Sequence, residues 1–180
     1  MLKRISTLLI FTIFTSTFAQ VGGESTYQFL NLVSSPRQAA LGGKVVTNYD
    51  YDVTSGLYNP ATINVEMDNQ LALNYSSYLG GISYGTAAYA YTWDRRVQTF
   101  HIGMTYINYG SFEGYDLNGA STGTFTGNEA ALSVGYAKQL GRSDFFGGFN
   151  LKLITSKLEQ YNSIGGALDL GIISIGRDNL

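Results

Sequence analysis

Val97-Gln98-Thr99-Phe100-His101-Ile102-Gly103-Met104-Thr105-Tyr106-Ile107-Asn108-Tyr109 is the stretch whose reading decides the fold. In an extended chain Phe100, Ile102, Met104 and Tyr106 share one face, and Thr99, His101, Gly103 and Thr105 share the other. A period of two defines a strand with two unlike faces. The pattern recurs on both sides. Residues 70–77 set Leu71, Leu73 and Tyr75 against Ala72, Asn74 and Ser76, and residues 129–139 set Leu132, Val134 and Tyr136 against Ala131, Ser133, Gly135 and Ala137. Residues 145–157 oppose Phe149, Leu151 and Leu153 to Gly148, Asn150 and Lys152; residues 165–174 oppose Leu168, Leu170 and Ile172 to Ala167, Asp169 and Gly171. With a Tyr- and Ala-rich segment at 82–91, six strands are predicted. Several are long beside the 5–6 residues usual in soluble domains.

Composition narrows the class. Charged residues make up 13% of the 180-residue chain, about half the usual share, and hydrophobic residues 44%. A mean hydropathy of +0.00 argues against a bundle of membrane helices. The face opposite the apolar one is built from Gly, Ala, Ser and Thr with few charges, which a water-facing sheet would not favour. Long strands that are apolar outside and small and polar inside predict an all-β fold, a transmembrane antiparallel β-barrel. There is no Cys and one His, so neither a disulfide framework nor a Cys or His metal site is expected, and the net charge of −2 gives no nucleic-acid signature. No cofactor is expected.

Residues 1–19 read as a secretory leader: Lys3 and Arg4, an apolar run from Ile5 to Phe14, then Thr17-Phe18-Ala19. Cleavage is expected between Ala19 and Gln20. The run is shorter than the ~20 residues a spanning helix needs.

Asp94-Arg95-Arg96 and residues 140–144 read as tight turns, residues 108–128 as a long Gly-rich loop, and residues 158–164 as an intermediate loop. Short and longer connections thus alternate, as periplasmic turns and external loops do. Segments 92–96, 140–144 and 175–180 are expected on the periplasmic side and 108–128 outside. Single-chain bacterial barrels start at eight strands, and open edges in lipid leave backbone groups unsatisfied. The chain is therefore expected to be a fragment of a larger barrel; a barrel assembled from several chains is the rival.

Residues 20–69 do not alternate. Residues 28–32 read as a short apolar helix or an extended anchor, Gly42-Gly43 as a site of positive φ, and Asn59-Pro60 as an Asx turn opening a helix. Taken in order, Val21-Gly22-Gly23, Tyr27-Gln28-Phe29-Leu30-Asn31-Leu32, Arg37-Gln38-Ala39-Ala40-Leu41-Gly42-Gly43 and Tyr58-Asn59-Pro60-Ala61 resemble the start of the PorV/PorQ family of the type IX secretion system of Bacteroidetes. Ile107-Asn108-Tyr109-Gly110-Ser111-Phe112 and Ala167-Leu168-Asp169-Leu170-Gly171 resemble later family segments. The resemblance spans the mature chain and is densest over 21–61. It implies a FadL-like barrel, fourteen-stranded in the family, with a hatch at 20–69, of which this chain holds the hatch and about six strands (70–180). Arg37, Gly42, Gly43 and Asn59-Pro60-Ala61 stand where the hatch motif would be.

The resemblance further implies a non-catalytic outer-membrane component that anchors a surface attachment complex. Its partners would be a PorZ-type protein, a complex containing PorU and PorV, and outer-membrane lipid. Phe112, Tyr115, Leu117 and Phe125 are the candidate external contacts, and each could equally pack on the barrel's own rim. Two other functions have some basis. A channel for hydrophobic molecules would need an apolar lumen, which Asn150, Lys152 and Asp169 disfavour. A hydrolase would pair His101 with Ser133 or Ser174, but the chain has no nucleophile-elbow motif.

Overall fold

The computed structural model describes residues 26–94, 98–141 and 144–176. The leader, its expected cleavage point at Ala19 and Gln20, the tips of both tight turns and residues 177–180 lie outside the described residues.

The protein is all-β, as the alternation predicts. Six strands form one antiparallel sheet in chain order: β1 (Leu71–Ser77), β2 (Ser83–Asp94), β3 (Gln98–Tyr115), β4 (Ser121–Gln139), β5 (Phe145–Leu158) and β6 (Tyr161–Ser174). Every strand pairs with its sequence neighbour, so each connection is a hairpin.

Two predicted loops are strand. Residues 108–128 are not a long loop: β3 continues to Tyr115 and β4 begins at Ser121, leaving residues 116–120 as the turn. Glycines make this segment read as loop. Gly110 (φ 80°) and Gly123 (φ 104°) instead sit at the two irregularities of the β3–β4 ladder, where positive φ is needed. The predicted loop at 158–164 likewise shrinks to Glu159-Gln160, with Glu159 in the left-handed region at φ 58°. The alternation of short and longer loops therefore fails at β5–β6.

The N-terminal segment, residues 26–70, packs on one face of the sheet and is helical only in short pieces. Four of its five short helical pieces open on a side-chain cap; the first, Gln28–Asn31, has none. Ser35 opens α1 (Pro36–Ala40) by accepting from the Gln38 amide, with Pro36 at the first turn. Gly42 and Gly43 close it at φ 96° and 122°, their amides donating to the carbonyls of Ala39 and Gln38. Asp52, Asn59 and Asn64 open the 3₁₀ turns Val53–Leu57, Pro60–Thr62 and Val65–Met67, accepting from the amides of Thr54, Ala61 and Glu66. Such side-chain caps compete with strand pairing and explain why this segment does not join the sheet. The core lies between segment and sheet: Phe29 with Tyr84, Ile107, Ala131 and Ile154 at one end, and Val53 and Met67 with Ala88 and Ala90 at the other. No helix among the described residues is long and apolar enough to cross a membrane.

Candidate functional site

The sheet has one filled face and one bare face. On the filled side, three strand side chains reach the carbonyls at the turn Val53–Leu57. Asn150 donates from Nδ2 to the Gly56 carbonyl at 2.7 Å, and Lys152 from Nζ to the Leu57 carbonyl at 3.0 Å. His101 Nε2 lies 3.0 Å from the Val53 carbonyl. A carbonyl only accepts, so Nε2 carries the proton. Lys152 also pairs with Asp169 at 2.6 Å. A 3₁₀ turn leaves its last carbonyls without partners inside the turn; here the sheet supplies the donors.

Beside this lies a floor of small residues. Ala137, Gly148 and Gly171 are register partners across β4, β5 and β6. Asn59-Pro60-Ala61 sits on them: a Cβ added at Gly148 would lie 2.6 Å from the Pro60 carbonyl carbon, and one at Gly171 would collide with Asn59 Oδ1. Asn59 holds the tripeptide in shape by accepting from the Ala61 amide at 3.0 Å and donating to the Val46 carbonyl at 2.6 Å. Asn59→Ala should lower stability by about 1–2 kcal/mol through loss of the cap, measured as a shift in the urea midpoint; an unchanged midpoint would mean that the cap contributes nothing.

Of the other predicted hatch residues, Arg37 leaves the filled face. It pairs with Asp50, donates to the Tyr51 hydroxyl at 3.1 Å and lies 5.0 Å from the Tyr51 ring centroid. Gly42 and Gly43 shape the turn after α1 and have open space where a Cβ would stand.

The candidate contacts Phe112, Tyr115 and Phe125 are strand residues of the projecting β3–β4 ribbon, and Leu117 alone lies in its turn. Phe112 and Phe125 are cross-strand partners with stacked rings 5.3 Å apart. Leu117 is fully exposed. Asp116 orders the tip: its carboxylate accepts from the amides of Ala120 and Asn118, which holds it below the usual carboxylate range.

The bare face carries a band of exposed apolar side chains. Successive register rows read Tyr91–Phe100–Tyr136–Phe149–Leu170, Leu71–Tyr89–Ile102–Val134–Leu151–Leu168, Leu73–Ala87–Met104–Leu132–Leu153–Gly166 and Tyr75–Gly85–Tyr106–Ala130–Thr155–Ile164. No charged residue stands in these rows. A polar row, Ser77–Ser83–Asn108–Asn128–Lys157–Asn162, bounds the band at one end, and Gln98–Lys138 does so at the other.

His101 does not sit in a hydrolytic arrangement. Its Nε2 is held by Val53, and neither His101 Nδ1 nor Ser133 Oγ has a hydrogen-bond partner, so the two do not bond. Among the described residues no group of three His, Cys, Asp or Glu side chains is placed to hold a metal ion. Sequence reasoning missed the pairing of His101 with Val53 and the seat on Gly148 and Gly171, because partners 48 to 112 residues away leave no local signal. Comparison of the chain with protein-family models, with curated proteins and with solved structures finds no match in any of the three.

Proposed function

We propose that this chain is a PorQ-like, non-catalytic outer-membrane component of a type IX secretion system, a barrel wall closed by an N-terminal hatch and anchoring a surface complex through its β3–β4 ribbon. The observation that carries the membrane part is the bounded apolar band. Gln98 and Asn108 stand ten residues apart on β3. At about 3.4 Å per residue that is ~34 Å of strand, and at a tilt of 35–45° it spans ~24–28 Å, near the ~25 Å apolar band of outer-membrane barrels. Exposed side chains such as Leu73 at 72% and Leu170 at 76% would be costly in water. Aromatic residues in the outermost rows suit the two interfaces.

The role as an anchor rests on the sequence resemblance and on the exposed aromatic and apolar groups of the ribbon. A lumen packed by residues 26–70 favours an anchor over a conduit. In the source organism, Tyr115→Ser with Leu117→Ser should reduce co-purification of the surface complex about tenfold or more, the loss of one apolar anchor being worth roughly 2 kcal/mol, while the protein remains in the outer-membrane fraction. Phe125→Ser is the second variant and removes the ring stack. Undiminished capture by both would overturn the docking role of the ribbon, and recovery in the soluble fraction would overturn the membrane reading.

A further inference from the structure

The β3–β4 ladder breaks where the ribbon leaves the sheet. Asn108 pairs with Asn128 and the next pair is Ser111 with Thr126, so Tyr109 and Gly110 stand unpaired opposite Gly127. The flanking strands end at the same level: β2 stops at Ser83, opposite Asn108, and β5 at Leu158, opposite Gly127. The angle of the ribbon to the sheet is therefore set by what crosses the break. The Asn108 side chain accepts from the Gly110 amide at 2.7 Å, which shapes the bulge but stays within β3. Gly110 also abuts the β1–β2 turn, where an added Cβ would lie 3.2 Å from the Gly81 carbonyl oxygen. That contact is a stop and holds no direction. The directional tie is Tyr109. Its ring covers Gly127, whose added Cβ would meet it at 3.2 Å, and its hydroxyl donates to the Glu129 carboxylate on β4. Glu129 is 7% exposed and pairs with Ile107, one step inside the last regular pair. A hydroxyl donating to a carboxylate makes a bond roughly twice as strong as a neutral one, and a buried carboxylate left without its donor is costly.

We infer that Tyr109 is a positioning residue: its bond to Glu129 latches the foot of the ribbon and sets the angle at which Tyr115 and Leu117 meet a partner. Gly110, at φ 80°, supplies the freedom of the joint, and the neighbouring side chain restrains it. The latch itself follows from the geometry; its consequence for capture rests on the docking role proposed above for the ribbon. A ribbon released from Glu129 has to be ordered again on docking, which weakens binding without removing any contact to the partner.

The chain has no cysteine, so spin labels at Ala120→Cys in the turn and Lys157→Cys on the polar row report the angle of the ribbon without background. Distances between the labels, measured on the detergent-extracted chain, should form one narrow distribution. Tyr109→Phe keeps the packed ring and removes only the hydroxyl; it should broaden or displace that distribution, and so should Glu129→Leu. Glu129→Gln keeps an acceptor in place and should leave it narrow. In the source organism, co-purification of the surface complex by the unlabelled chain should fall about three- to tenfold with Tyr109→Phe and be largely preserved with Glu129→Gln. An unchanged distribution in both Tyr109→Phe and Glu129→Leu would overturn the latch. A broadened distribution with full capture would overturn the positioning role. If Tyr115→Ser with Leu117→Ser also leaves capture undiminished, the failure lies in the docking role of the ribbon and not in the latch.

Discussion

Gly148→Val unseats the N-terminal segment. The urea midpoint falls by the equivalent of about 3 kcal/mol or more, at the upper end of what overpacking costs, and trypsin cleaves faster after Arg37 and Lys44. At this position even the first added carbon meets the Pro60 carbonyl group and the Ala61 amide, with the nitrogen at 3.0 Å. These are backbone atoms, held from behind by the Asn59 cap, so they cannot swing aside as a side-chain end would. The register partner Gly171 is blocked by Asn59 itself, which removes the alternative of sliding toward β6. Gly147→Val is the control. It is the next residue on the same strand but faces the bare side, where the nearest atom to an added carbon is the Leu140 side chain at 3.4 Å. That change should cost less than about 1 kcal/mol, as most substitutions away from tight packing do. Equal losses at the two glycines would show that strand glycine content matters and the seat does not.

Lys152→Met costs about 2–3 kcal/mol, below the ~3–5 kcal/mol for breaking a fully buried ion pair, because both side chains keep some exposure. The Lys152 side chain is 12% exposed and that of Asp169 28%. Removing the ammonium leaves the carboxylate beside Asn150 and Gly171 in a cramped interior and strips the Leu57 carbonyl of its donor. The double variant Lys152→Met with Asp169→Leu should recover most of that loss, because a pair of apolar groups of similar volume is tolerated where one charge alone is not. Urea unfolding of the two variants measures the difference. If the double variant is no more stable than Lys152→Met, the Leu57 carbonyl contact and not the ion pair holds the joint.

The sequence shows its sheet wherever a side chain's own neighbours two residues away decide its face. Phe100, Ile102, Met104 and Tyr106 are all exposed, and Thr99, His101 and Thr105 all buried, as their alternation predicts. The caps were legible for a similar reason: Asn59 before Pro60 acts within three residues. The ribbon was misread because Gly110, Gly114 and Gly123 carry a loop signal, whereas the cross-strand pairing of Phe112 with Phe125 depends on a partner that composition does not display. Tyr27 marks the limit of local reading. It adopts the left-handed region at φ 59° without being glycine, and its ring covers Gly165 while its hydroxyl bonds Ser163 Oγ at 2.7 Å. Nothing near position 27 announces a contact 136 residues on.

Because the β3–β4 ladder is interrupted between Asn108 and Ser111, with Gly110 at φ 80°, the ribbon is jointed at its foot. Above that joint, Phe112–Tyr115 and Ser121–Phe125 pair only with each other, and their tip stands roughly 20–25 Å beyond the polar row. A sideways push at Leu117 meets the least resistance at the foot, where the ladder is interrupted. A pull along the ribbon behaves differently. It runs down β3 and β4 together and loads their ladders with β2 and β5 in shear, where many hydrogen bonds must yield at once. The ribbon is thus compliant to thermal buffeting yet stiff under axial tension, the behaviour of a mooring line.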